Sequence, residues 1–429
     1  MTTGCLGIIL FSFFFRGDVM KRFKSLFLFV GLLSMAVLTS SYVEAAKSNT
    51  INPCKGSIGK LEHAYKNDRK FRVLIDSAFE NMRQLPQGYP GVNPWIGKEF
   101  KDLAAFFGDW CTFLPGIKGS HDDGLKYIQE FAWFYYQNEY GMKFVKESPG
   151  REITQQFSIE RGHFLSSGDS KGTLSQWTED PRIEIEDYVV PKGGYTSFND
   201  FFKRPLKNQA ESRPQTMPDR DYIIAAPTDC IMNSVPQKIT NANTKIKTKF
   251  RQELNIKEML NGSKYANEFV GGTALSCVLM PNTYHHYHAP TSGDIVEAKV
   301  VHDAYYGYDD FPKWVPPNGN VGYHGTDFSQ FEDFQRGYFI LKTKNFGYVA
   351  MIPVGLDTIS SIVFNEKFTT KKINAKHPVA VQRGDELGHF LYGGSLFIMI
   401  FEEDRYKSDA IQVRLGNQIG TFDTPPLKK

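Results

Sequence analysis

Apolar residues in the first part of the chain recur with the period of an α-helix. They stand three or four positions apart in residues 71–82 and again in residues 100–111, as expected where one face of each helix packs against a core. We therefore predict a helical N-terminal region over residues 46–190, which ends at the glycine- and proline-marked residues 191–194.

Beyond residue 197 the apolar pattern changes to the short runs typical of β-strands. These runs are rich in Val, Ile, Phe and Tyr and are separated by turn signals. We predict a mostly antiparallel β core over residues 191–429, of the sandwich or barrel-sandwich type, so that the fold class is α+β. The predicted strands cover residues 273–280, 294–302, 338–342, 347–353, 358–364, 396–401 and 410–415.

The N-terminus has the pattern of a targeting signal. A basic segment at residues 20–24 precedes an apolar stretch at 26–38 and small residues near 45, which together are typical of a cleaved signal peptide. We predict that residues 1–45 form this signal, that Met20 is the initiator, and that the protein is exported to the periplasm or secreted. An uncleaved signal anchor is the less favoured alternative, because the apolar run is short for a full membrane span.

Composition narrows the class of protein. With 41% apolar and 23% charged residues, the chain has the balance of a globular protein rather than that of a disordered or fibrous one. The net charge is only +3, because acidic residues nearly balance the basic ones, and no basic run is present. We therefore expect no nucleic-acid partner. Four cysteines lie beyond the predicted signal, and an oxidising compartment permits disulfides, but their pairing cannot be read from sequence. They are Cys54, Cys111, Cys230 and Cys277.

Three of the ten histidines lie within four positions, between two prolines. His285, His286 and His288 are of the residue type that exchanges protons near neutral pH, and on a strand His286 would face away from His285. We expect one or two of them to be catalytic. A zinc site or a solvated loop is the alternative. Because no further group of Cys and His residues has ligand spacing, we expect no metal.

A serine and an aspartate complete a candidate catalytic set. Ser395 follows Gly393 and Gly394 just before the apolar run 396–401, and two glycines let a side chain approach the preceding peptide bond closely. Asp229 follows an apolar run and could orient an imidazole, as the carboxylate does in a Ser-His-Asp arrangement. Taken singly, each of the two is more simply explained as a turn residue.

In the order Asp, His, Ser, these elements resemble the phosphatidylserine decarboxylase family. The similarity extends over residues 197–422. Two departures stand out, because His286 occupies a position where the family usually has arginine, and Leu396 one where it usually has serine or threonine. The segments that are similar to family motifs are 201–207 with 213–214, 227–229, 284–288, 354–362 and 384–390.

The resemblance implies a pyruvoyl-dependent carboxy-lyase made from a self-cleaving proenzyme. Ser395 would attack the carbonyl of Gly394 with His288 as base, and Asp229 would orient His288. Cleavage between Gly394 and Ser395 would leave a large and a small subunit of the same chain. Ser395 would become the covalent pyruvoyl cofactor, to which the substrate binds as a Schiff base. His285 would lie beside this group and assist decarboxylation or reprotonation.

The substrate is the least determined property. The resemblance implies conversion of phosphatidylserine to phosphatidylethanolamine with release of CO₂, as part of phospholipid biosynthesis and with peripheral membrane contact. Decarboxylation of a free amino acid, for instance an aromatic one, is an alternative favoured by the N-terminal extension, which is similar to one in a subgroup of the family. An uncleaved, inactive binding protein on the same scaffold is a second alternative, because Leu396 and His286 depart from the family pattern.

Overall fold

The computed structural model describes the chain from residue 52 to residue 421, with gaps. The predicted signal at residues 1–45, which includes Met20, lies outside the described residues. Within the described ranges, no helix is both long enough and apolar enough to cross a membrane. These ranges are 52–85, 92–117, 126–136, 138–232, 237–239, 256–303, 305–306, 334–356, 362–370, 372–406 and 412–421.

Helices come first along the chain, as the apolar period predicted. The longer ones are α1 (Lys55–Asn67), α2 (Arg69–Glu80), α3 (Phe100–Thr112), α4 (Lys126–Tyr136), α5 (Glu139–Lys146) and α6 (Gly150–Leu165). Short helices follow, namely α7 (Leu174–Thr178), α8 (Phe198–Phe202), α9 (Gln209–Ser212) and α10 (Ile256–Met259). Short 3₁₀ segments lie at Gly168–Thr173, Pro181–Ile183, Ile185–Asp187, Ala266–Phe269 and Glu366–Phe368.

Side-chain caps explain where two of these helices begin. The Asp68 carboxylate accepts hydrogen bonds from backbone N–H groups in the first turn of α2, and the Asn138 side chain accepts one from Gly141 in α5. Each cap satisfies donors that have no partner inside the helix. Asn138 also donates to the carbonyl of Ala78, so one side chain joins α2 to α5.

The rest of the described chain is mostly antiparallel sheet. The main sheet has the order β10-β6-β7-β8-β12-β4-β2-β13, with β3 beside β4, and a small sheet has the order β5-β11-β9. A third pair joins β1 to β14. The strands are β1 (Ile223–Ala225), β2 (Cys230–Met232), β3 (Gln237–Lys238), β4 (Thr273–Leu279), β5 (His286–His288), β6 (Gly293–Val301), β7 (Arg336–Lys342), β8 (Tyr348–Leu356), β9 (Ile362–Phe364), β10 (Val379–Val381), β11 (Glu386–Phe390), β12 (Gly394–Phe401), β13 (Gln412–Val413) and β14 (Gln418–Thr421).

The predicted α+β class is confirmed, and most of the predicted strands are found. The runs at 273–280, 294–302, 338–342, 347–353 and 396–401 correspond to β4, β6, β7, β8 and β12. The run 358–364 contributes only β9 and the run 410–415 only β13, and part of each run lies outside the described residues. The other described strands are two to five residues long and were not predicted, because so short a run carries little readable period. They are β1, β2, β3, β5, β10, β11 and β14.

Strand β12 lies inside the main sheet and is covered on both faces. It pairs with β4 on one side and β8 on the other. Leu396, Ile398 and Ile400 share a core with helices α1 to α6. The alternate side chains, from Phe397 to Phe401, share a second core with the small sheet. A strand buried on both faces has an unbroken apolar sequence instead of an alternating one. This explains the apolar run at residues 396–401, from which the strand was predicted.

The described helices and the main sheet are parts of one compact unit. The first hydrophobic core contains side chains from both. A division into a helical domain at 46–190 and a catalytic core at 191–429 therefore stays a prediction. The secondary structure changes from helices to strands near the predicted boundary, but one hydrophobic core contains residues from both sides of it.

A disulfide joins Cys54 to Cys111. Both cysteines are buried, and the bond links the residue before α1 to the last turn of α3. Cys230 and Cys277 are buried free thiols. The structure thus decides a pairing that the sequence left open.

We expect loss of this disulfide to destabilise the protein. Closing a loop across a sequence separation of 57 residues stabilises a fold by about 4 kcal/mol in the chain-entropy model. In urea unfolding, a reductant should lower the midpoint of the wild-type protein and leave that of Cys54→Ser/Cys111→Ser unchanged. Cys277→Ser is the control that should keep the sensitivity to reductant. An equal wild-type midpoint with and without reductant would contradict the pairing.

Candidate active site

Ser395 lies at the head of β12, where the chain enters the main sheet. It is paired with Leu279 of β4 and Gly355 of β8, and its side chain is buried. Gly393 has a φ of 151°, a backbone conformation that favours glycine. The peptide bond between Gly394 and Ser395 therefore comes just after a residue, Gly393, whose backbone conformation other residues rarely adopt.

The imidazole of His285 faces the Ser395 hydroxyl. Its Nδ1 lies 3.4 Å from Ser395 Oγ, a long contact, and its Nε2 lies 3.1 Å from the carbonyl oxygen of Met280. A carbonyl only accepts, so in the neutral ring Nε2 carries the proton and Nδ1 presents its lone pair to the serine. Burial lowers the pKa of His285 well below its usual value, and the positive charge of Arg204 lowers it further. The ring is therefore neutral near pH 7.

The segment that precedes His285 is held by α8 and the residues just after it. The ring of Phe202 stacks on His285 with centroids 3.7 Å apart. The buried guanidinium of Arg204 donates to the carbonyl oxygens of Asn282 and Thr283, at 3.0 and 3.2 Å. Both residues belong to the sequence motif at 201–207, whose role is thus to fix the position of the imidazole.

His288 is buried nearby but has different partners. Its Nδ1 donates to the carbonyl oxygen of Gly384 at 2.8 Å, so Nε2 is the acceptor for the hydroxyl of Tyr284 at 3.0 Å. Burial lowers the pKa of His288 to about 4, although the hydrogen bond to Gly384 opposes that change. His288 is therefore a second neutral imidazole with an acceptor at Nε2.

Asp229 binds an arginine instead of a histidine. Arg213 donates to its Oδ2 from Nε at 3.0 Å and from Nη2 at 2.9 Å, and the backbone N–H of Leu415 donates to Oδ1 at 2.6 Å. Among the described residues, the carboxylate makes no hydrogen bond to His288. The expected Asp229–His288–Ser395 contacts are thus not the ones found. A buried carboxylate requires a compensating charge, and Arg213 supplies it.

A cavity of about 400 Å³ opens beside this ion pair. Its lining includes Arg182, Arg213 and Arg414, together with Met280 and Thr283 from the segment before His285. Each of the three guanidinium groups already contacts a carboxylate. We therefore assign no acidic group of a substrate to this cavity.

His286 has a third set of neighbours. Its Nε2 donates to the carbonyl oxygen of Lys203 at 2.8 Å, and its Nδ1 lies 3.1 Å from Glu386 Oε1. His389 completes a group of three side chains whose possible ligand atoms all lie within 4.8 Å of one another. This group, within the described residues, is the one that could hold a metal.

Four residues of the site received no role from the sequence. Tyr284, Arg204, Arg213 and Gly384 all lie in segments that are similar to family motifs. The resemblance therefore marked the right segments. It did not show which side chain in one segment meets which backbone group in another, because those meetings depend on the packing of α8 and the small sheet.

Comparisons with known proteins assign the chain to a class of enzyme. The family model described as phosphatidylserine decarboxylase matches residues 198–421. The phosphatidylserine decarboxylase proenzyme of Fusobacterium nucleatum is 29% identical over 283 residues, which are 63% of this chain and 84% of that protein. The proenzyme of the same name from Clostridium novyi is 26% identical over 315 residues, 71% of this chain and 94% of that protein.

The antiparallel core, the buried serine and these matches together define an enzyme of the carboxy-lyase class. The family match extends over more than half of the chain and includes Asp229, His285, His288 and Ser395. The chain belongs to the phosphatidylserine decarboxylase family. The family inferred from five motifs is thereby confirmed.

We expect the buried neutral histidines to make the fold less stable in acid. The folded-state pKa of His288 is about 4, below the unfolded value of about 6.5. Between these values the unfolded chain binds more protons than the folded chain, so the free energy of unfolding falls as the pH falls from 7 to 4. Between pH 7 and pH 5, His288 accounts for about 2 kcal/mol of this loss. Chemical unfolding of Ser395→Ala protein at pH 7 and pH 5 measures the loss.

The variant His288→Gln in the same background should show a smaller loss between the two pH values. His163→Gln changes an exposed histidine on α6 and should leave the loss unchanged. A free energy of unfolding that does not change between pH 7 and pH 5 would show that the buried rings titrate normally.

Proposed function

We propose that this protein is a self-cleaving, pyruvoyl-dependent decarboxylase that converts phosphatidylserine to phosphatidylethanolamine and CO₂. The contact between the buried Ser395 hydroxyl and the neutral His285 imidazole carries the proposal. The names of the two relatives, both phosphatidylserine decarboxylase proenzymes, support the substrate and the processing.

The proposed cleavage uses only groups of this chain. Ser395 Oγ adds to the carbonyl carbon of Gly394, the C–N bond breaks, and the nitrogen takes up a proton, which leaves an ester between the two residues. Removal of the Cα proton of Ser395 then breaks the Cβ–Oγ bond and releases Gly394 as a carboxylate. Addition of water and loss of ammonia convert the remaining dehydroalanine into the pyruvoyl group that begins the small subunit.

The surroundings of position 395 fit such a group. The residue is 2% exposed and flanked by strands on both sides, so water has little access to a ketone there. A pyruvoyl group supplies a carbonyl that binds the amine of the substrate and withdraws the electrons released with CO₂. The nearest imidazole is His285, whose Nδ1 faces this position. We propose that His285 assists the loss of CO₂ and delivers a proton, taken up from water, to the substrate carbon that CO₂ has left.

We propose that His288 is the base for cleavage, as its motif position suggests. The Gly384 carbonyl holds its Nδ1–H, and the lone pair of Nε2 is the acceptor that a general base needs. In this structure Nε2 accepts from Tyr284, so it must exchange that hydroxyl for the one on Ser395. Gly384 then has the orienting role expected for Asp229, and Asp229 acts indirectly as the partner of Arg213.

We also propose that the enzyme is exported and works in peripheral contact with a membrane. The support is the signal-like pattern of residues 1–45 and the chemistry of the substrate, whose acyl chains lie in a bilayer. The headgroup must leave the bilayer surface to reach a position as buried as Ser395.

Three alanine variants test the mechanism. Ser395→Ala should block both cleavage and decarboxylation, because the cofactor cannot form. His285→Ala should still be cleaved but lose turnover by about 10²–10⁴-fold, the usual contribution of a general acid or base. His288→Ala should stay uncleaved. Intact mass under denaturing conditions reports cleavage, and a small subunit lighter by one ammonia than its serine-started sequence reports the pyruvoyl group.

The same variants can overturn the assignment. An uncleaved His285→Ala chain together with a cleaved His288→Ala chain would mean that the histidine in contact with Ser395 is the cleavage base. Decarboxylation by Ser395→Ala protein would contradict the pyruvoyl proposal altogether.

Substrate assays separate lipid from free amino acid. We expect CO₂ release from phosphatidylserine vesicles, with phosphatidylethanolamine as product, and none from free serine or from an aromatic amino acid. Short-chain phosphatidylserine below its micelle concentration tests membrane contact separately, since turnover should rise when the same lipid is presented in vesicles. Release of CO₂ from a free amino acid, with none from vesicles, would contradict the proposed substrate.

A further inference from the structure

A cluster of three side chains on the small sheet is not used by the proposed reaction. It consists of His286 on β5 and of Glu386 and His389 on β11, and their possible ligand atoms lie within 4.8 Å of one another. We call it the β5–β11 cluster. His286 is about 100 positions from the other two members in sequence, which is why ligand spacing could not reveal the cluster.

The strand register builds this cluster. His286 and His389 are directly paired across β5 and β11, and their rings lie 5.1 Å apart. Glu386 precedes His389 by three positions, so in a regular strand the two side chains would face opposite sides. A register shift between Glu386 and Gly388 interrupts the strand, and such a bulge turns a side chain to the other face. The irregularity thus brings the carboxylate to the two imidazoles.

The ring of His286 is oriented as a metal ligand would be. Its Nε2–H donates to the carbonyl oxygen of Lys203 at 2.8 Å, and the ring of Tyr284 stacks parallel to it, at 5.0 Å. Metal-bound histidines commonly donate their second ring N–H to a backbone carbonyl, which fixes the tautomer and the plane of the ring. The nitrogen left over for a ligand is Nδ1, which faces Glu386.

That nitrogen is a buried polar atom with no well-aligned hydrogen bond. His286 is 6% exposed, and its Nδ1 lacks a hydrogen-bond partner, although Glu386 Oε1 is 3.1 Å away. The contact is therefore close in distance but poorly aligned. In the described part of the chain the imidazole of His389 makes no hydrogen bond either. Buried polar atoms in native proteins are rarely left in this state without a reason.

We propose that His286 Nδ1, the Glu386 carboxylate and the His389 imidazole bind one Zn²⁺ ion, with water as the fourth ligand. Two ligands of a tetrahedral zinc ion, each about 2.0–2.1 Å from it, lie about 3.4 Å apart. The 3.1 Å between His286 Nδ1 and Glu386 Oε1 is close to that spacing. Rotation of the partly exposed Glu386 and His389 side chains closes the remaining distance. Two imidazoles and one carboxylate are a donor set that zinc accepts.

The ion would fasten the segment that carries the histidines of the active site. His286 directly follows His285, and the ring of Tyr284, which stacks on His286, carries the hydroxyl bonded to His288. A metal bond between β5 and β11 would therefore help to hold Tyr284 and His288 in place. This proposal goes beyond the decarboxylase function and does not depend on it.

Zinc binding to the full chain, prepared without a polyhistidine tag and stripped with a chelator, tests the proposal. The Ser395→Ala background keeps the chain intact. We expect one equivalent of Zn²⁺ by calorimetry, visible absorption bands of a tetrahedral site when Co²⁺ replaces it, and a higher melting temperature with metal. His389→Gln should weaken binding by roughly 100-fold or more, since loss of a residue that merely supports a ligand already costs 10–100-fold.

His377→Gln is the matched control, because His377 is exposed and lies outside the cluster. Glu386→Gln, which keeps the shape of the side chain, should weaken binding as His389→Gln does. Melting curves of the metal-free variants show whether each one folds. The proposal is overturned if the stripped chain binds no Zn²⁺, or if folded His389→Gln and Glu386→Gln proteins bind it as tightly as the parent chain.

Discussion

The register of strand β12 is the constraint on which the rest of the site depends. This strand pairs with β8 along its whole length and with β4 from Ser395 onward, and its alternate side chains enter two different cores. A slip by one residue would exchange the two sets of side chains and turn Ser395 away from His285. Because apolar packing on both faces opposes such a slip, the position of one reactive hydroxyl is determined by the six apolar residues that follow it in the strand.

Two buried arginines, Arg204 and Arg213, also stabilise the site. Arg204 and Arg213 are nearly inaccessible to solvent, and each has found acceptors on a segment distant in sequence. Arg204 holds the carbonyl groups before His285, and Arg213 holds Asp229. Burying a guanidinium group costs free energy unless its N–H groups have acceptors. The contacts of Arg204 therefore favour one packing of α8 against the segment before His285. The positive charge of Arg204 also lowers the pKa of His285 and so helps to keep its ring neutral.

The small sheet brings two kinds of chemistry close together. Its strand β5 carries His286, the ligand of the proposed ion, and His288, the proposed base, while His285 lies just before it. Tyr284 connects them, because its ring stacks on His286 and its hydroxyl bonds His288. In the family pattern an arginine usually stands at position 286. Replacing a fixed cation by an imidazole opens that position to a metal, which can restore positive charge next to Glu386.

The sequence by itself determined the types of element and marked the segments that carry the candidate reactive groups. A helical period and unbroken apolar runs are local properties, and each predicted its type of element correctly, whereas the catalytic role of the histidine segment between prolines stays a prediction. Tertiary structure decided which groups meet. Asp229 binds Arg213 and not His288, His285 and not His288 touches Ser395, and Glu386 joins His286 only through a bulge. Such meetings depend on register and packing between segments far apart in the chain, and sequence spacing carries no information about either.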